Sequence, residues 1–199
     1  QAFWNELGRV LKEGPPEDFA NRERIASLLR FSTTKSEGDK QTESLDAYVE
    51  RMKEGQDAIY FISGEQAETL SRSPQLEGFK AKGVEVLLLT DPIDEFWIPV
   101  VGAYKEKSFK SATGAGADLG KIAGGEEKEK TEEAKPEDTA GLDKLLAALK
   151  QSLGETVKDV RVSERLTDSP VCLVAGEGDM DMYLERMLKQ HRQLDASMA

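Results

Sequence analysis

Two short, unbroken apolar runs constrain this chain more than any other feature. Residues 58–62 (AIYFI) and 84–89 (VEVLLL) are strand-sized. The second is unbroken enough to predict a parallel sheet buried on both faces. Between them, Ser63 and Gln66 have the spacing of a capping box and predict a helix start, and Gly83 suits the end of a second short helix. Asp91 and Pro92 predict a turn and another helix start, and residues 107–111 a further strand. Strand, helix, strand and a following short helix make an α/β unit.

The flanks read as helical. Pro15 and Pro16 predict the opening of a helix with Ile25, Leu28 and Leu29 as its apolar stripe. Residues 33–41 form a polar loop. Ser44 is the expected N-cap of a helix carrying Leu45, Tyr48, Val49 and Met52 at i, i+3, i+4 and i+7, with Gly55 at its C-terminal end. Burying those four side chains is worth roughly 6–12 kcal/mol before entropy.

Charge divides the chain. Residues 124–140 (GGEEKEKTEEAKPEDTA) hold seven acidic and three basic groups and no large apolar residue. Such a segment cannot bury enough surface to offset its ordering entropy. The expected domains are therefore 1–112 and 141–199, with 113–140 as an acidic linker. The second part predicts a leucine helix through Leu142, Leu145, Leu146, Leu149 and Leu153 that ends at Gly154. A half-buried strand at 157–162 (VKDVRV) and a second strand at 171–174 follow. After a turn at 176–178, an amphipathic helix over 179–194 carries Met180, Leu184, Met187 and Leu188 on one side.

Composition excludes several functions. With 38 acidic against 27 basic residues the net charge is -11, which argues against binding nucleic acid or an anionic membrane. Nothing approaches the ~20 apolar residues of a membrane span. One cysteine, Cys172, and one histidine, His191, exclude an internal disulfide and any zinc site built from several Cys or His. The first ten residues carry no initiator Met, basic region or apolar signal segment, and the last helix runs out without a cap. A cytoplasmic piece of a longer protein is expected.

Local chemistry is sparse. The 114–120 stretch (GAGADLG) has one residue too many for a dinucleotide loop and lacks its strand and helix context. Asp179 and Asp181 have early calcium-loop spacing but no further oxygen ligands, so they read as charges at a helix N-terminus. Asp94 and Glu95 read the same way, Cys172 as a buried small hydrophobe and His191 as a solvated helix residue. No hydrolase, P-loop or metalloprotease motif occurs. Methionine adapts to irregular partners, so the Met-rich 179–194 helix is the odd feature.

Residues 45–65 (LDAYVERMKEGQDAIYFISGE) resemble the ninety-kilodalton heat-shock chaperone family, in its bacterial HtpG branch. The likeness extends to 11–14 (LKEG), 17–31 (EDFANRERIASLLRF), 73–96 (SPQLEGFKAKGVEVLLLTDPIDEF) and 157–174 (VKDVRVSERLTDSPVCLV). The resemblance implies a small αβα subdomain at the end of a middle domain, the acidic linker, and an α+β C-terminal domain lacking its last dimerisation helices. The parent would be a homodimeric ATPase using ATP and Mg²⁺, with its nucleotide pocket and γ-phosphate arginine upstream of Gln1. This part would hold no cofactor, metal or catalytic residue. Its partners would be unfolded or partly folded client proteins, not nucleic acid or membrane. The implied client contacts are Glu95, Phe96 and Trp97 after 91–95, and Met180, Leu184, Met187 and Leu188 in the last helix. Pro99 departs from the pattern by falling where the first of these helices should continue. Two other functions stay open. A small α/β enzyme or ligand-binding domain would place its chemistry near 89–95, and a pure assembly module would turn its apolar helix to a sister subunit.

Overall fold

A computed structural model of the chain describes residues 2–114, 119, 120, 122, 136–163, 165–176 and 178–190, with backbone only for 136–140. The dinucleotide-like 115–118, most of the linker, His191 and the expected helix tail to Leu194 lie outside the described residues. Among the described residues, five strands make one mixed sheet and eight α-helices accompany it.

The expected strands form at its centre, although only Leu87–Leu89 of the 84–89 run is strand. β2 (Ala58–Ser63) lies parallel to β3 (Leu87–Leu89) on one side and to β5 (Lys107–Ser111) on the other. Two short antiparallel edge strands, β1 (Ser32–Thr33) beside β3 and β4 (Ala103–Tyr104) beside β5, complete the order β1-β3-β2-β5-β4. The pleat sends alternate residues to opposite faces. Ile59 and Phe61 join one buried cluster, and Ala58, Tyr60 and Ile62 join the other. An unbroken apolar run is what a strand covered on both faces requires.

Helices supply the two covers. α1 (Ala2–Glu17), α2 (Arg22–Leu28), α3 (Leu45–Glu50) and α6 (Asp94–Val101) put Trp4, Ala26, Leu29, Tyr48, Trp97 and Ile98 into or beside the first cluster. α4 (Ala67–Ser71) and α5 (Glu77–Ala81), with the 3-10 turn Pro74–Leu76, bring Leu70, Leu76 and Phe79 to the second. The Tyr48 hydroxyl ties α3 to the sheet. It donates to the Glu85 carbonyl at 2.7 Å and accepts from the Tyr60 amide at 3.0 Å. The Ser44 hydroxyl accepts from Ala47 N–H at 3.1 Å, so the expected N-cap forms.

Several expectations are corrected. Pro15 and Pro16 stand in the last turn of α1, not at a helix start. The helix begins upstream, because Trp4, Gly8, Lys12 and Pro15 form its buried stripe. Lacking an N–H, the prolines leave the Leu11 and Lys12 carbonyls without their i+4 donors, while Asp18 N–H still bonds the Gly14 carbonyl. The chain re-enters a helix at Arg22. Ser63 does not cap; it ends β2, and Gln66 takes the N-cap position of α4 without a side-chain bond. Pro99 does not stop α6, which continues to Val101 before Gly102 turns it at φ 68°.

The 141–199 part departs most. α7 (Pro136–Leu153) forms and Gly154 follows at φ 52°, but Leu142, Leu145 and Leu153 remain exposed. Its start at Pro136 also overlaps the expected linker. Neither 157–162 nor 171–174 forms a strand; one bridge joins Ala175 to Gly114. A strand needs a ladder partner for its amides and carbonyls, and none runs beside these segments among the described residues. Cys172 is accordingly half-exposed rather than buried. α8 (Met182–Gln190) starts later than expected, leaving Met180 ahead of the helix.

Candidate functional site

The C-terminal ends of β2, β3 and β5 gather the charged residues singled out by the sequence. At the β3 end, Lys12 reaches from α1 into the space under α6. Its ammonium lies 2.6 Å from Asp91 and 2.9 Å from Asp94, with all three side chains buried. Trp97 Nε1 donates to Asp94 at 2.7 Å, and Arg9 and Gln41 donate to Asp91 at 2.9 and 3.2 Å. Burial pushes the Asp91 carboxyl up, but Lys12, Gln41 and Arg9 outweigh it and hold the group below its ordinary value. Asp94 lies deeper, and there burial prevails over Lys12 and raises it. These groups spend their hydrogen bonds on one another. They lock α1 to α6, and the Lys12, Asp91 and Asp94 side chains are closed off from solvent.

Glu95 follows on α6 and is buried. Burial pushes its carboxyl up to about 7, and the charges of Asp181 and Asp94 add to that. The neighbouring Ser63 hydroxyl works the other way, yet Ser63 Oγ and Glu95 Oε1 are both buried without a hydrogen bond. Trp97 is wholly buried, stacked edge-on to Phe109 at 5.5 Å. Of the three expected client contacts on α6, only Phe96 faces solvent, at 54% exposure.

The second expected surface is more open. No residue of α8 is buried, and Leu184, Met187 and Leu188 are each half-buried. Met180 is 41% exposed in the preceding turn. Upstream of it, Val171, Leu173 and Val174 are exposed as well. Together they form an apolar strap and helix lying over the β5 end of the sheet.

Asp181 and several residues without a sequence signal hold this strap. Asp181 Oδ2 accepts from Ser111 Oγ at 2.6 Å and Thr113 Oγ1 at 3.1 Å, while its Oδ1 caps Tyr183 N–H at 2.8 Å. Gln75 Nε2 donates to the Leu173 carbonyl at 2.9 Å, and Ala175 N–H to the Thr113 carbonyl at 2.9 Å. Glu77 accepts from the amides of Thr167, Asp168 and Ser169, and these bonds with the Ser169 hydroxyl hold its carboxyl down at about 2. Asp179 pairs with Lys158 at 2.8 Å, so neither aspartate is arranged as a calcium ligand. Only the helix-start reading of Asp181 was visible in the sequence; nothing in it pairs Glu77 with residues ninety positions later.

The sequence model of the family described as Hsp90 protein matches residues 1–199. The chain belongs to the Hsp90 family. Among relatives of this Hsp90 chain, a chaperone protein HtpG of Roseobacter denitrificans is 56% identical over 197 residues, covering 98% of the chain and 31% of the relative. The HtpG of Paramagnetospirillum magneticum is 55% identical over 193 residues, with 96% and 30% covered. Among solved structures, the middle domain of a Plasmodium falciparum heat shock protein matches at TM-score 0.53 and 45% identity, over 57% of this chain and 47% of that one. The Hsp90 chain described here thus spans about three tenths of the length of the HtpG relatives it matches.

Proposed function

We propose that this chain is the client-binding and coupling part of an ATP-driven chaperone of the HtpG type. The observation that carries the reading is the exposed apolar group Val171, Leu173, Val174 and Met180, continued by the half-buried Leu184, Met187 and Leu188 of α8. Exposed apolar patches of this kind mark interaction surfaces, and a Met-rich one accommodates many shapes. Phe96, exposed on α6, is the further contribution.

On this reading 1–112 is the end of a middle domain, 113–140 a linker, and 141–199 the beginning of an α+β C-terminal domain. ATP hydrolysis with Mg²⁺ and homodimer formation belong to the rest of the longer protein, and this part is not itself an enzyme. Its partners are unfolded or partly folded polypeptides rather than nucleic acid or membrane; no helix among the described residues is long and apolar enough to cross a membrane. The cytoplasm is the expected compartment.

Binding should be weak and sequence-tolerant, because each anchor buries little area and the client loses entropy on ordering. Fluorescence anisotropy of a labelled, permanently unfolded polypeptide tests this. Replacing Met180 and Met187 by Ser should lower its affinity with the thermal midpoint unchanged, since exposed substitutions typically stay within about 0.5 kcal/mol. A double variant that loses several kcal/mol of stability would instead make this face part of a core.

A further inference from the structure

Two carboxylates bracket the exposed strap. Asp181 secures its far end to Ser111 and Thr113. Glu77, in the first turn of α5, secures the near end by a denser arrangement. Its Oε2 accepts from Thr167 N–H at 2.7 Å, Asp168 N–H at 3.0 Å and Ser169 N–H at 3.2 Å, while Oε1 accepts from Ser169 N–H and from the Ser169 hydroxyl. Three successive amides turned toward one point form a concave anion seat. Bonds from such donors to an ionised acceptor are about twice as strong as neutral ones.

The fit beside it is close. A Cβ on Gly78 would stand 3.0 Å from the Arg165 carbonyl oxygen and 3.2 Å from its Cα, so the backbone at 165 rests directly on α5. Arg165 Nη1 reaches back to the Ala112 carbonyl at 3.3 Å, and Gln75 holds the Leu173 carbonyl just beyond. Val171, Leu173 and Val174 are exposed and bury little apolar area. Their placement therefore depends on polar anchors at the ends of the strap rather than on apolar packing.

We propose that Glu77 is a positioning residue for client binding: seated in the amides of 167–169, it fixes the strap on α5 and presents Val171, Leu173 and Val174 in one orientation. Glu77 touches no client itself. It acts by removing freedom that the strap would otherwise lose when a client binds. The client role of the strap rests on the proposed function above, whereas the anchoring does not.

The test uses the 199-residue chain, with E77Q as the main variant and S169A, which removes a single donor, as the milder one. Glutamine keeps the size of the side chain but withdraws its charge and turns an NH2 toward the amides. Hydrogen exchange followed by mass spectrometry should show amides 167–169 exchanging about tenfold faster or more in E77Q, and less than that in S169A, as expected when charged-acceptor bonds are lost. Exchange in β2 and β3 should not change. Affinity for a permanently unfolded polypeptide should fall about threefold to tenfold in E77Q and less in S169A. Unchanged exchange at 167–169 would overturn the anchor. Faster exchange there with undiminished affinity would overturn the positioning role. If the parent chain binds no unfolded polypeptide, the positioning role falls with the client reading, and the exchange result alone then decides the anchor.

Discussion

Replacing Lys12 by Met should be the most damaging single change at the C-terminal ends of the strands. Methionine fills nearly the same volume and keeps helix propensity, so the substitution isolates the ammonium. Lys12 is 1% exposed, and its two partners, Asp91 and Asp94, keep 4% and 1% of side-chain exposure. Removing the charge leaves two carboxylates buried within one site. Breaking a buried ion pair on one side costs about 3–5 kcal/mol. At about 2–4 °C per kcal/mol for a chain of this size, the midpoint should drop by roughly 6–20 °C. The loss should depend on pH. Without Lys12 the Asp91 carboxyl loses the main charge that holds it below its ordinary value and Asp94 rises further above its own, so the deficit relative to the parent chain grows as pH rises from about 5 to 8. Adding D94N to K12M should recover part of the loss, because one buried charge is gone. Thermal unfolding followed by circular dichroism at both pH values provides the readout. A drop below about 1 kcal/mol that is the same at pH 5 and pH 8 would refute the reasoning, since the site would then be solvated.

Two further outcomes follow from the same geometry. Glu95 is raised to about 7 against an unfolded value near 4.5, so its protonated form is favoured by folding. Its contribution to stability is full below about pH 4.5 and is lost as pH rises through about 7; E95Q should therefore gain on the order of 2–3 kcal/mol over the parent at pH 8 and nothing at pH 4, read from urea midpoints. A Cβ on Gly8 would fall 2.7 Å from Trp4 Cε2, so G8A should displace the indole, break its 2.9 Å bond to Gln41 and cost about 1–3 kcal/mol, with red-shifted tryptophan emission as the check.

The centre of the fold was legible because burial on both faces leaves a plain signature. The runs at 58–62 and 84–89 need no partner to be read as strands, and both ended near the sheet's middle. Glu85 is the instructive exception: it sits within the apolar run, is 4% exposed, and is paired at 2.9 Å by Arg51, the residue that ends α3. α1 was hidden for a related reason. Its inward stripe, Trp4, Gly8, Lys12 and Pro15, contains one large apolar residue, while Phe3 and Val10 point outward. On α6 the signal was present but unused: Asp94, Trp97, Ile98 and Val101 are spaced i, i+3, i+4 and i+7, which turns Trp97 inward and Phe96 outward. The segments at 157–162 and 171–174 carry strand patterns, yet pattern alone cannot supply the neighbouring backbone that a strand requires. The anchors Glu77 and Asp181 were the least legible, because their partners are brought to them only by the folded topology.

Site-directed photo-crosslinking gives the most direct measurement of where clients bind. A photoreactive residue is placed in turn at Phe96, Leu173, Leu184 and Met187, and at Phe3 and Val10 on the exposed outer side of α1 as equally apolar controls. Adducts with an unfolded polypeptide are expected from the first four positions, and few from Phe3 or Val10. Adducts that are as abundant at the α1 positions, or that appear only between two copies of the chain, would contradict the client-binding reading.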